Sequence, residues 1–312
     1  MSLTMSLPTH TPVLLYEVIE GLQARVGGHF IDCTVGLGGH TAALMEKISP
    51  RGSLLGIDID PEAIKVAQIK LSDYGESVTL VNDDFANLET ICKRYHFHPV
   101  DGILFDLGVS SLQLDTAERG FSFRLEAPLD MRFDPMQGLT AADIVNTCPE
   151  QELAQLIKAY GEERYSQRIA RHIVQSRPIS STSKLAHLVE QVLGSRHTRI
   201  HPATRTFMAL RIAVNSELQN LESALEQTIN LLHPGGRLVV ISYHSLEDRI
   251  VKQFMRREAS NCLCPPSTVI CRCGHVPTLK LISRKVIKPT SLEIESNPRS
   301  RSAKLRIAER LN

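Results

Sequence analysis

The first chemical signal is the run Asp32-Cys33-Thr34-Val35-Gly36-Leu37-Gly38-Gly39-His40. An apolar stretch leads into it and a helical pattern leads out, so its glycines occupy a strand-to-helix turn. Glycine lets the backbone adopt positive φ and approach a ligand closely. In open α/β sheets, ligands bind at the carboxyl ends of strands, beside such turns. The following apolar runs end on polar groups: Asp58 and Asp60, then Asn82-Asp83-Asp84-Phe85, then Asp106. A carboxylate can accept both hydroxyls of a ribose diol. Phe85 offers a ring at the adenine position. Together these strand ends describe an adenosine-shaped pocket.

The turn also discriminates among adenosine cofactors. The dinucleotide fingerprint G-x-G-x-x-G needs a third glycine, and Thr41 stands there. The phosphate-cradling G-x-x-x-x-G-K is absent. Asp32 at the start of the turn would repel a pyrophosphate and suit the cationic methionine end of S-adenosylmethionine. The expected chemistry is therefore methyl transfer rather than hydride transfer.

Positioning these groups requires a parallel sheet. Short apolar runs alternate with helical patterns in the first half of the chain, as in α/β proteins. Strands are predicted at 30–34, 53–57, 77–81 and 100–107, with a later one at 237–242 after Gly235-Gly236 and an edge strand at 303–308. Helices are predicted at 40–48 and 61–71. From 112 to 216 the pattern turns helical, at 151–160, 162–175 and 184–193, followed by one or two long helices over 207–232. The expected architecture is an α/β protein with a parallel sheet formed by 1–111 and 217–312, interrupted by a mostly helical insert at 112–216.

The chain has 312 residues, 42% hydrophobic and 22% charged, with a formal net charge of +1. That composition supports a packed core and excludes a disordered chain or a uniformly basic coat. No apolar run approaches the roughly 20 residues of a membrane span, and the N-terminus lacks the order of a signal peptide. A cytoplasmic location is expected, with the 7 cysteines as thiols or metal ligands. Cys262, Cys264, Cys271 and Cys273 are close enough in sequence to hold zinc, although C-x-C pairs are tighter than usual and free thiols in a loop are the alternative. The stretches 164–177, 196–211 and 284–310 are locally basic and suit phosphate contacts. Arg196-His197-Thr198-Arg199-Ile200-His201-Pro202 reads as an exposed basic loop. Tyr243-His244-Ser245 follows the fifth strand, where Tyr243 could stack on a base or Ser245 could cap a helix.

Several motifs resemble the RsmH (MraW) family over nearly the whole chain. They are His10-Thr11-Pro12-Val13-Leu14-Leu15, the glycine turn, Gly56-Ile57-Asp58, Phe105-Asp106-Leu107-Gly108-Val109-Ser110-Ser111, Arg119-Gly120-Phe121-Ser122-Phe123, Pro128-Leu129-Asp130-Met131-Arg132, Tyr243-His244-Ser245-Leu246-Glu247-Asp248-Arg249 and Asn297-Pro298-Arg299-Ser300-Arg301-Ser302-Ala303. The resemblance implies a Rossmann-like S-adenosylmethionine-dependent methyltransferase sheet with the insert at 112–216 as its helical substrate-recognition domain, acting on the exocyclic N4 of a cytosine in the decoding centre of 16S ribosomal RNA, within the small ribosomal subunit. It implies cofactor contacts from Gly38, Gly39, His40, Asp58, Phe85, Asp106 and Gln113, of which His40 and Gln113 come from the resemblance alone. Asp106 is the candidate catalytic group, as an acceptor for the N4 hydrogens; holding the cofactor is its alternative role. A DNA methyltransferase and a non-catalytic ribosome-assembly factor remain rival readings.

Overall fold

A computed structural model describes residues 11–124, 126–136, 138–194, 201–265, 268 and 270–312. The chain divides into two units, one comprising residues up to Gly108 with Leu221–Asn312, the other Val109–Asn220.

The first unit is built on seven strands: β1 (His29–Asp32), β2 (Ser53–Asp58), β3 (Val78–Asn82), β4 (Val100–Asp106), β5 (Leu232–Ser242), β6 (Leu279–Leu281) and β7 (Lys304–Arg310). Their order across the sheet is β3-β2-β1-β4-β5-β7-β6. The first five are parallel, and β7 runs antiparallel to both β5 and β6. Alternate side chains of one strand leave on opposite faces. Ile31, Leu55, Phe105 and Val240 accordingly enter one core, while Phe30, Leu54, Leu104 and Val239 enter another. Both faces are covered, which is why these strands read as unbroken apolar runs rather than as alternating ones. The chain steps outward from β1 to β2 on one side and to β4 on the other. That reversal opens a crevice at the carboxyl ends of β1 and β4, where the glycine turn and Asp106 stand. The arrangement is Rossmann-like.

Two expectations about this sheet need correction. The C-terminal strand is not an edge strand: β7 lies between β5 and β6, with Leu305, Ile307 and Ala308 buried. Its cover, β6, is 3 residues long, too short to leave a periodic signal. The predicted helix at 162–175 begins only at Ser166, because Glu162 takes a left-handed conformation (φ 48°) that ends the helix Glu150–Gly161.

The second unit is helical, with Ala141–Thr147, Glu150–Gly161, Ser166–Gln175, Thr182–Leu193 and Thr204–Asn215. Leu153, Ile157, Ile169, Ile173, Leu185 and Leu210 form its own core. Ser216 (φ 50°) breaks the last of these from Glu217–Leu231, which leads back to the sheet. Two family motifs meet inside this unit. The Arg119 guanidinium donates to the carbonyls of Arg132 (3.1 Å) and Phe133 (2.8 Å). A Cβ on Gly120 (φ 69°) would run into the Pro128 carbonyl. Both motifs therefore serve the architecture of the unit. Among the described residues, no helix is long and apolar enough to cross a membrane.

Candidate active site

The glycine turn is held from beneath by Asp32. This side chain is fully buried, and its oxygens accept the Thr34 N–H (3.1 Å) and the Thr41 hydroxyl (2.7 Å). It therefore staples the turn to the helix Gly39–Ile48 and cannot touch a ligand, contrary to the expectation that it meets the methionine end of a cofactor. Gly38 (φ 74°) caps that helix. Gly39 is needed for space: a Cβ there would lie 2.6 Å from Pro12 Cγ.

Asp58, at the end of β2, accepts the N–H of Gly36 (2.7 Å) on one oxygen and of Asp60 (2.9 Å) on the other. A carboxylate has about four lone-pair sites, so it keeps capacity for a diol. Burial pushes its pKa up to about 7, against the pull of the two N–H donors. Asp60 is a different case. It is fully buried and caps the helix Pro61–Lys70 by accepting the Glu62 N–H (3.0 Å). Asn82 ties the end of β3 to that of β2 through the carbonyls of Asp58 and Ile59, at 2.9 Å each. Phe85 heads a short 3₁₀ turn capped by Asp84, and meets Phe105 edge-to-face with ring centroids 5.6 Å apart.

Asp106 ends β4 and is the best-connected of these groups. Its N–H donates to the Thr34 hydroxyl (2.6 Å), which fixes the end of β4 to the glycine turn. Its Oδ1 accepts the Tyr243 hydroxyl (2.8 Å), and its Oδ2 lies 3.5 Å from His40 Nδ1. The side chain is 23% exposed. Burial raises its pKa to about 7, Tyr243 opposes that rise, and Glu247 adds to it. His40 is itself buried, which lowers its pKa and favours the neutral ring. Its Nε2 sits 3.0 Å from the Val13 carbonyl, a contact that requires the proton there. Nδ1 then presents a lone pair to Asp106, so a proton between the two is favourable and a fully charged carboxylate is less so.

Two motifs without an evident role in the sequence explain how His40 is held. Pro12 packs on Gly39, and Val13 receives the His40 ring. Asn297 donates to the Thr11 carbonyl (3.0 Å), and Glu293 accepts the Leu14 N–H (2.8 Å). The C-terminal segment thus clamps the N-terminal segment onto the turn. Tyr243 is the residue whose connection the sequence left open. Parallel β4 and β5 place Asp106 opposite Ile241, so the residue two further on overhangs the acid, and the Tyr243 ring lies over Gly108 (φ 96°). The cap of the helix Ser245–Glu258 is His244, not Ser245, in a capping box with Glu247. Glu247 also accepts the Tyr243 N–H (2.8 Å), which fixes the backbone that carries the phenol.

Gln113 belongs to the second unit. It is buried, and its Oε1 accepts the Ser110 N–H (3.0 Å) in a capping box of its own.

The model of the MraW methylase family matches residues 8–311. The chain belongs to this family. A protein of Dehalococcoides mccartyi named ribosomal RNA small subunit methyltransferase H is 60% identical over 302 residues, covering 97% of this chain and 86% of its own. Proteins of the same name from Thermomicrobium roseum (54% over 306 residues; 97% and 94% covered) and Syntrophus aciditrophicus (50% over 307 residues; 97% and 98% covered) also match.

The basic stretches divide into paired and exposed cations. Arg177 donates to the carbonyls of Val145 and Cys148, Arg211 pairs with Glu217 (2.7 Å), and Arg306 pairs with Asp248 (2.8 Å). Those cations are spent inside the protein. Arg284, Lys285, Lys288 and Arg301 are exposed. The predicted basic loop falls at 195–200 for the most part, outside the described residues.

Proposed function

We propose that this protein transfers a methyl group from S-adenosylmethionine to the exocyclic N4 of a cytosine in the decoding centre of 16S ribosomal RNA. Membership of a methylase family and the names of close relatives support the coarse reading, an S-adenosylmethionine-dependent methyltransferase of small-subunit ribosomal RNA. The finer target follows the motif resemblance, and the linkage of Asp106 to the glycine turn, to His40 and to Tyr243 in one strand-end crevice supports this acid as the group that accepts from the amine.

The residues present fit the cofactor. Gly36 and Gly38 hold the turn after β1 at positive φ with bare backbone, Asp58 has spare acceptor capacity for a ribose, and Phe85 provides an aromatic surface at the end of β3. When bound, S-adenosylmethionine supplies a methyl group already activated on a sulfonium. The protein therefore has mainly to orient and desolvate the acceptor. Cytosine N4 is a weak nucleophile because its lone pair is delocalised into the ring. Asp106 accepts an N4 hydrogen, which turns the lone pair out of conjugation, and takes up the proton that N4 loses as the N–C bond forms. A base with a pKa near the working pH suits that task. Tyr243 and His40 are positioning residues for this carboxylate. Gln113 is assigned to the cofactor on the family motif, and the second unit to RNA recognition, in the cytoplasm.

Parallel incubations with labelled S-adenosylmethionine and either small ribosomal subunits from cells lacking this activity or DNA test the reading. Label in the RNA is expected. Label in DNA instead, or in neither, overturns it.

A further inference from the structure

Among its described residues, the segment between the helix Ser245–Glu258 and β6 makes no hydrogen bond to Asp58, Asp106, His40 or Tyr243. It is long and contains neither helix nor strand among its described residues. Its base is pinned, because Thr278 donates its N–H to the Glu258 carbonyl (2.8 Å) and its hydroxyl to the Glu258 carboxylate (2.6 Å). Beyond that base its described apolar residues are not gathered into a core: Leu263 is 44% exposed, and Ile270 and Val276 are each 70% exposed. Apolar burial cannot account for its conformation. Long structureless connections in compact domains have a dedicated use or are disordered.

What converges in this segment is sulfur. The Sγ atoms of Cys262, Cys264, Cys271 and Cys273 all lie within 4.8 Å of one another. Individual separations are 3.3 Å for Cys262–Cys271, 3.5 Å for Cys271–Cys273 and 3.8 Å for Cys262–Cys273. All four are free thiols rather than disulfides. Tetrahedral zinc with Zn–S bonds of about 2.3 Å needs sulfurs about 3.8 Å apart. Three backbone N–H groups also point at sulfur: Leu263 at Cys273 (3.3 Å), Cys264 at Cys262 (3.4 Å) and Arg272 at Cys264 (3.4 Å). Such bonds stabilise thiolates and orient metal ligands.

We infer that these four cysteines form a structural zinc site that folds the tongue between the helix and β6. The ligand set is closed, with four protein sulfurs and no open position, so the ion has no part in methyl transfer. Thiolate donors select a soft or borderline ion over magnesium or calcium. Each C-x-C pair supplies two ligands from one narrow turn, and joining the pairs closes the tongue. Metal binding then provides the free energy of folding that the missing core does not.

The test is metal analysis of the full chain purified without added zinc. About one zinc ion per chain is expected, as is a cobalt-substituted form with thiolate charge-transfer and tetrahedral d–d bands. The variant Cys262→Ser/Cys271→Ser should lose the zinc while binding S-adenosylmethionine as the parent does in calorimetry, which shows that its sheet is folded. Metal-free protein whose four thiols react at once with a thiol reagent overturns the inference. So does an intact mass lower by two hydrogens per bridge, which reports disulfides, or zinc retained by the double variant.

Discussion

Replacing Tyr243 by Phe removes one hydroxyl and keeps the ring. That hydroxyl donates to Asp106 Oδ1 at 2.8 Å. It stabilises the charged carboxylate, so its loss raises the pKa of Asp106 above the value of about 7 that burial gives it. A hydrogen bond to a charged group contributes about 1.5–3 kcal/mol net, equivalent to a rise of about one to two pKa units. At pH 7 the parent is about half ionised, and the variant about one part in ten to one in a hundred, which lowers the rate about 5- to 50-fold. The sign follows from the role assigned to the acid. The ionised form accepts the N4 hydrogen, so activity rises with pH through the pKa, and the variant recovers when the pH is raised. The assay is the pH dependence of kcat/KM for methylation of small subunits, which reports groups of the free enzyme. A parallel downward displacement of the profile with an unchanged midpoint would refute the reasoning, because it would assign Tyr243 to packing alone.

Asp58→Asn loses charge-assisted acceptance from Gly36 and Asp60; affinity for S-adenosylmethionine should fall about 10- to 100-fold by calorimetry. In the parent, that affinity should tighten as pH rises through about 7, where Asp58 ionises, and the variant should lose this dependence; equal pH dependence in both would contradict the role. Gly39→Ala puts a Cβ 2.6 Å from Pro12 Cγ, and urea unfolding should show a loss of about 1–3 kcal/mol, with weaker cofactor binding as the segment holding His40 shifts. Replacing the exposed Lys285, Lys288 and Arg301 by Ala should lower the slope of log affinity for RNA against log salt by about 2; an unchanged slope would remove this face from the RNA contact.

The strand-end acids were legible because each stands where an apolar run stops, a local event in the chain. The sequence also indicated that the sheet is parallel, since strands covered on both faces are apolar throughout. What could not be read depends on distant partners. His40 looks like an exposed residue at a helix start until Pro12 and Val13 fold over it. Asp60 resembles Asp58 in type and spacing, and only the start of the next helix makes one a cap and leaves the other with spare acceptors. The link between Tyr243 and Asp106 needs the register of β4 on β5. The helix break at Ser216 lacks a glycine signal, since it holds positive φ as an ordinary residue. Arg306 reads as part of a basic patch until Asp248 neutralises it.

The atom that receives the methyl group tests the central claim most directly. Ribosomal RNA methylated by this protein should be digested to nucleosides and resolved by chromatography and mass spectrometry. If Asp106 draws a hydrogen from the exocyclic amine, the label elutes as N4-methylcytidine, and an Asp106→Asn variant that still binds S-adenosylmethionine yields far less of it. Label in 5-methylcytidine or in a ribose-methylated nucleoside, or full turnover by that variant, would contradict the account.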